Sequence, residues 1–132
     1  MKLKIAVCDD DLQWSERIRQ SISEYMCHVN QQCDIQVFES GEELCGAFHG
    51  SHSFDIVFLD PPYNSGLAKK ALEAVFEKDV LNEGAIVVLE RDEPDAVTSD
   101  LAVLVKEKKY GRTHIGIYTK KTQTAESGGN GE

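Results

Sequence analysis

Carboxylates at the ends of apolar runs are the chemistry-bearing residues of this chain. Asp9, Asp10 and Asp11 follow the run Leu3-Lys4-Ile5-Ala6-Val7-Cys8. Asp60 follows Ile56-Val57-Phe58-Leu59 and is itself followed by Pro61, Pro62 and Tyr63. Glu90 closes a third run, Ala85-Ile86-Val87-Val88-Leu89. If the first two runs are adjacent strands, Asp9, Asp10 and Asp60 converge. Clustered hard oxygens can hold Mg²⁺, which takes carboxylates, carbonyls and water in near-octahedral geometry. The plain alternative for Asp9 and Asp11 is helix capping, because a short acidic side chain accepts the free N–H groups of a first turn. Nothing else in the chain is arranged for catalysis. His28, His49, His52 and His114 are not spaced as metal ligands, and no Ser-His-Asp or Cys-His arrangement emerges, so no catalytic residue is assigned.

The elements that would position these acids alternate. The first apolar run is a strand. Leu12, Trp14, Ile18, Ile22, Tyr25 and Met26 recur at helical spacing up to about Val29, with Trp14 expected in the core. Asp34 to Phe38 alternates as a second strand. Ser40 with Glu43 three residues on forms a capping box for a second helix that stops near Gly50. Ile56 to Leu59 reads as a strand buried on both faces, and Pro61 must end it. Leu67, Ala71, Leu72, Val75 and Phe76 mark a third helix, which Asn82-Glu83-Gly84 breaks before the strand from Ala85 to Leu89. Arg91 to Ser99 is acidic and reads as a loop or short helix. Two strands, Leu101 to Lys109 and His114 to Tyr118, turn at Tyr110-Gly111-Arg112 as an antiparallel hairpin. From Thr122 the composition turns to Ser, Gly, Asn and Glu, the mark of a disordered tail over 122–132. The pattern is an α/β three-layer sandwich with a doubly wound sheet, one domain over residues 1–121.

Charge is uneven. Residues 1–60 carry a net −7 and residues 61–132 a net −2, within a total of −9 over 132 residues. So acidic a chain argues against tight nucleic-acid binding, since the phosphate backbone demands cations. Lys108, Lys109, Arg112, Lys120 and Lys121 read as a solvated strand face. Cys8, Cys27, Cys33 and Cys45 include no C-x-x-C pair and suit reduced thiols of a cytoplasmic protein. No apolar run approaches the roughly 20 residues of a membrane span.

Two resemblances divide the chain at Asp60. Ile5-Ala6-Val7-Cys8-Asp9-Asp10, Val37-Phe38-Glu39-Ser40-Gly41-Glu42-Glu43-Leu44 and Phe54 to Asp60 resemble the receiver domain of bacterial two-component response regulators, especially those that precede a LytTR-type DNA-binding domain. Asp60-Pro61-Pro62-Tyr63, Leu81 to Glu90 and Lys108-Lys109-Tyr110-Gly111 resemble the carboxyl-terminal half of a Rossmann-like methyltransferase, nearest the small ribosomal-RNA guanine-N2 methyltransferases. Together they suggest a hybrid, simplest as an engineered chimera, with a receiver-like half (1–60) and a methyltransferase-like half (61–121). Both families imply a flavodoxin-like or Rossmann-like sheet. Numbered along the chain, the expected strand order is 2-1-3-4-6-5, with strand 6 antiparallel.

The receiver resemblance implies phosphorylation of Asp60, a weak Mg²⁺ site from Asp9, Asp10, Asp60 and the Pro62 carbonyl, and a histidine kinase partner. Glu90 stands where a receiver has Ser or Thr, and no Lys-Pro follows. The methyltransferase resemblance implies a nucleobase pocket from Asp60, Pro61, Pro62 and Tyr63. It is read as vestigial, because the turn after the first strand has no glycine to let the backbone approach S-adenosylmethionine, and no binding of that cofactor is expected. The expectation is a degenerate receiver-like domain that is not an enzyme. Residual aspartate phosphorylation and an RNA methyltransferase fragment are the alternatives.

Overall fold

The computed structural model describes residues 2–47, 54–60, 67–78, 80–91 and 97–121. Six strands form one sheet in the order β2-β1-β3-β4-β6-β5, as the sequence predicts: β1 (Leu3–Asp9), β2 (Cys33–Phe38), β3 (Phe54–Asp60), β4 (Leu81–Arg91), β5 (Ala102–Tyr110) and β6 (Thr113–Lys120). The first four are parallel, and β6 runs antiparallel between β4 and β5.

Side-chain alternation sorts the strands' residues onto two faces. One face carries Ala6, Cys8, Val57, Leu59, Val87, Leu89 and Tyr118, all buried. Helices α2 (Gly41–Ala47) and α3 (Leu67–Glu77) cover it with Leu44, Leu72, Val75 and Phe76, which completes the core. The opposite face carries Ile5, Val7, Ile56, Phe58, Ile86, Val88, Ile115 and Ile117. Helix α1 (Leu12–His28) packs on β1 and β2 there and buries Ile5 and Val7, while Ile56, Phe58, Ile86, Val88, Ile115 and Ile117 are only half-buried. A groove of about 250 Å³ runs between α1 (Ser21, Ile22, Tyr25, Met26) and Ile56 and Phe58 of the sheet.

The helix starts follow the sequence closely. Asp11 caps α1, its Oδ1 accepting the N–H groups of Gln13 (3.0 Å) and Trp14 (3.1 Å). Ser40 Oγ accepts the Glu43 N–H at 3.0 Å, and Glu43 Oε1 accepts the N–H of Glu39 at 2.9 Å. The capping box therefore closes one residue earlier than its usual form.

Three readings change. Trp14 is 41% exposed rather than in the core, because α1 turns its Ser15 face to the sheet instead. Asn82-Glu83-Gly84 does not break the chain before β4 but lies inside it. The β3–β4 register jumps from Phe54↔Leu81 to Ile56↔Ile86, and Gly84 absorbs the extra residues at φ +81°. Arg91 is not in a loop; it ends β4, buried, and pairs with Glu107. The expected helix stop at Gly50, most of the loop after Arg91 and the tail 122–132 lie outside the described residues.

Candidate functional site at the carboxyl edge of the sheet

In a doubly wound sheet the ligand crevice lies where consecutive crossovers diverge, outside the carboxyl ends of the strands. Here β2 lies on one side of β1 and β3 on the other, so the switch point falls between β1 and β3. Asp9 and Asp60 occupy it as neighbours on one rung of the ladder. Leu59 pairs with Leu89, which sets Glu90 beside Asp60 on the next strand.

The pair is asymmetric. Asp9 is 3% exposed; its Oδ1 accepts the Asp11 N–H at 2.9 Å, and Ser15 Oγ donates to its carbonyl at 3.3 Å. Asp9 Oδ2 is buried and takes no N–H or hydroxyl donor. What it can share is a proton on Asp60. Burial, the contact with Asp9 and the charges of Glu90, Asp9 and Asp10 push the Asp60 carboxyl up to about 8. Burial also raises Asp9, against the lowering effect of its bonds to Asp60 and the Asp11 N–H. Two carboxyls this close hold one proton between them near neutral pH.

Of the expected metal set, Asp9 and Asp60 are the two members brought together. Asp10 is exposed at the rim, and Pro62 lies outside the described residues. Among the described residues no group of three His, Cys, Asp or Glu is arranged to hold a metal ion. Pro61 and Tyr63 of the expected nucleobase pocket also lie outside the described residues, so Asp60 is its one described member.

The β1–α1 turn decides how an adenosyl sulfonium cofactor could seat. A helix N-terminus normally offers open N–H groups to a ligand's anionic end. Asp11 fills those of α1. The negative charge of Asp9 and Asp60 instead suits a cation. Among the described residues, these acids match the positive charge of such a cofactor's ammonium and sulfonium rather than its carboxylate.

Two stitches that the sequence did not reveal cross the strands, one at each end of the sheet. Arg91, 1% exposed in its side chain, pairs across the sheet with Glu107. At the opposite edge Asp55 accepts the Lys4 N–H (2.9 Å) and the Asn82 amide (3.0 Å), tying β1 to β3 and β4. An arginine in an acidic stretch is the one signal that could have suggested the first.

The strand order with an antiparallel β6 inserted beside β4, and acids at the switch point, define a Rossmann-like sheet of the methyltransferase kind. The chain belongs to the family described as Conserved hypothetical protein 95, whose model matches residues 3–119. It is 25% identical over 117 residues to Ribosomal RNA small subunit methyltransferase D of Haemophilus influenzae, covering 87% of this chain and 59% of that protein. It is 32% identical over 75 residues to a Rickettsia prowazekii protein named an uncharacterized methylase, covering 56% of this chain and 31% of that one. The chain thus spans under two thirds of the curated relatives it matches. Among solved structures, a conserved hypothetical protein of Streptococcus pyogenes superposes with a TM-score of 0.62 at 20% identity, covering 91% of this chain and 87% of that one. The ribosomal protein L11 methylase of Lactobacillus delbrueckii subsp. bulgaricus gives 0.50 at 13%, covering 92% and 72%. These structural likenesses establish the fold.

The matches overturn the hybrid reading. One family model runs through Asp60 without a break, from β1 to β6, so residues 1–60 are not a response-regulator receiver and no chimeric joint exists. Phosphorelay, aspartate phosphorylation and a histidine kinase partner fall with it. So do the readings of a degenerate, non-enzymatic domain and of a chain remote from nucleic acid, since the curated relatives are named as methylases and the Haemophilus influenzae one as a ribosomal RNA methyltransferase. The receiver-like text misled because an apolar strand ending in paired acids serves any doubly wound sheet with a switch point between its first and third strands. None of the described helices is long and apolar enough to cross a membrane.

Proposed function

We propose that the chain is the catalytic portion of an S-adenosylmethionine-dependent methyltransferase acting on an exocyclic amino group of a base in ribosomal RNA, in the cytoplasm. The observation that carries this reading is Asp60 at the switch point of a methyltransferase-family sheet, opening the sequence Asp60-Pro61-Pro62-Tyr63. The β2-β1-β3-β4 portion is shared with flavodoxin-like folds; β6 favours the methyltransferase form. Residues 1–121 act as one unit in this reading, because β3 of the first half pairs along its length with β4 of the second in one continuous sheet.

When bound, the cofactor supplies an electrophilic methyl group. The negative charge that Asp9 and Asp60 place at the switch point would face its cationic end. An exocyclic amine is a poor nucleophile while its lone pair is delocalised into the ring. An Asp60 oxygen and, by resemblance, the Pro62 carbonyl would accept its two N–H bonds and localise that lone pair. Tyr63 would stack on the base. With its carboxyl pushed up to about 8, an ionised Asp60 is a competent acceptor for the proton the amine must lose. Incubation of the protein with methyl-labelled S-adenosylmethionine and undermethylated small-subunit RNA tests the proposal. Label should enter the RNA, and Asp60→Asn should lower incorporation at least roughly 100-fold. No incorporation into any RNA substrate, naked or assembled, would refute it.

A further inference from the structure

An enzyme that carries a net −9 and presents Asp9, Asp60 and Glu90 at its crevice repels the phosphates of the strand it must hold. The structure separates the cations that could answer this. Lys120 and Lys121 lie at the far end of β6, where Lys120 pairs with Ala102. Lys108, Lys109 and Arg112 lie at the other end, around the turn of the β5–β6 hairpin. Over the eight residues of β6 these groups are roughly 24 Å apart. The sequence alone made them one patch.

The register puts the hairpin tip on the catalytic edge. Glu90 pairs with Ile115, and Ile115 with Lys108; Arg91 pairs with His114, and His114 with Lys109. Asp60, Glu90, Ile115 and Lys108 therefore lie on successive strands along the edge. Three strand spacings separate Asp60 from Lys108, roughly 14 Å. Lys108, Lys109 and Arg112 are exposed, and Tyr110 is 57% exposed between them. The one acid in the stretch, Glu107, turns to the buried Arg91 and does not offset them.

We infer that the tip of the β5–β6 hairpin, Lys108, Lys109, Tyr110 and Arg112, grips the RNA backbone beside the nucleotide whose base enters at Asp60. The inference rests on the proposed methyltransferase reading and adds the surface that holds its substrate. The division of labour is electrostatic. The uncharged base can approach the acids, while its flanking phosphates are held at the cations a few nucleotides' reach away. Tyr110 offers a ring on which a flanking unpaired base can stack.

The test is fluorescence anisotropy of a labelled small-subunit RNA fragment with the full chain. It compares wild type, the triple variant Lys108→Gln/Lys109→Gln/Arg112→Gln, and the control Lys120→Gln/Lys121→Gln. All substitutions are exposed, and thermal melts verify folding. The triple variant should bind at least about tenfold more weakly, with a salt slope shallower by about 2 for three lost phosphate contacts. The control should change affinity less than about twofold, and S-adenosylmethionine binding by calorimetry should be unchanged in both. Tyr110→Ala should weaken binding without altering the salt slope. A triple variant that binds RNA as tightly as wild type, with the same slope, overturns the inference and leaves the methyltransferase reading standing. A wild-type chain that binds no RNA overturns both.

Discussion

Replacing Asp60 by asparagine should stabilise the protein at alkaline pH and leave it nearly unchanged in acid. In the folded chain burial and the Asp9 contact raise the Asp60 carboxyl from 3.8 to about 8. The folded protein thus keeps a proton that the unfolded chain gives up. Its contribution to stability is fully present below about pH 4 and is lost as pH rises through about 8. At face value that span corresponds to about 6 kcal/mol. Asp60 sits at a half-open edge and shares its proton with Asp9, and solvent screening reduces the figure to about 2–3 kcal/mol. Asparagine cannot ionise, and its amide can donate to Asp9 Oδ2, which has no donor once Asp60 is charged. Urea denaturation at pH 4.5 and pH 9 is the assay. Asp60→Asn should match wild type within about 0.5 kcal/mol at pH 4.5 and exceed it by about 2 kcal/mol at pH 9. An equal offset at both pH values would mean that Asp9 and Asp60 do not share a proton, and the account of the site would fail.

Other outcomes follow from the same geometry. Methyl transfer should rise with pH through about 8 as Asp60 ionises, seen in the pH profile of single-turnover label incorporation; a flat profile would exclude Asp60 as proton acceptor. Asp9→Asn should weaken S-adenosylmethionine binding by calorimetry about tenfold while the neutral 5′-methylthioadenosine binds as before. Gly84→Ala should cost about 1–2 kcal/mol in chemical denaturation, all of it conformational, because φ is +81° and a Cβ there meets nothing within 4 Å. Glu107→Ala should cost about 2–3 kcal/mol by removing a carboxylate paired with the buried Arg91 charge. In the native protein Cys8, buried and with its thiol pushed up to about 12, should resist a thiol reagent that labels the exposed Cys27 quickly.

Local chemistry in the sequence determined the elements and their order. Apolar runs of β-prone residues named the strands, the acid run Asp9-Asp10-Asp11 and Ser40 named the helix starts, and Pro61 named the end of β3. Right-handed crossovers then left few arrangements, and family resemblance, not local chemistry, supplied the order β2-β1-β3-β4-β6-β5 among them. The meeting of Asp9 and Asp60 was legible for the same reason, because both end neighbouring parallel strands. The use of the pair was not legible. A strand ending in acids serves phosphate chemistry, a metal or an amine equally, and which oxygen faces which depends on contacts across the sheet. Only the tertiary structure shows Asp9 Oδ2 buried without a donor and the α1 N–H groups already taken by Asp11. Register, which no single segment encodes, folded Asn82-Glu83-Gly84 into β4, gave Arg91 its partner and divided the basic residues between two ends of one hairpin. A sequence lists charges along a line; pairing across strands decides which of them stand together.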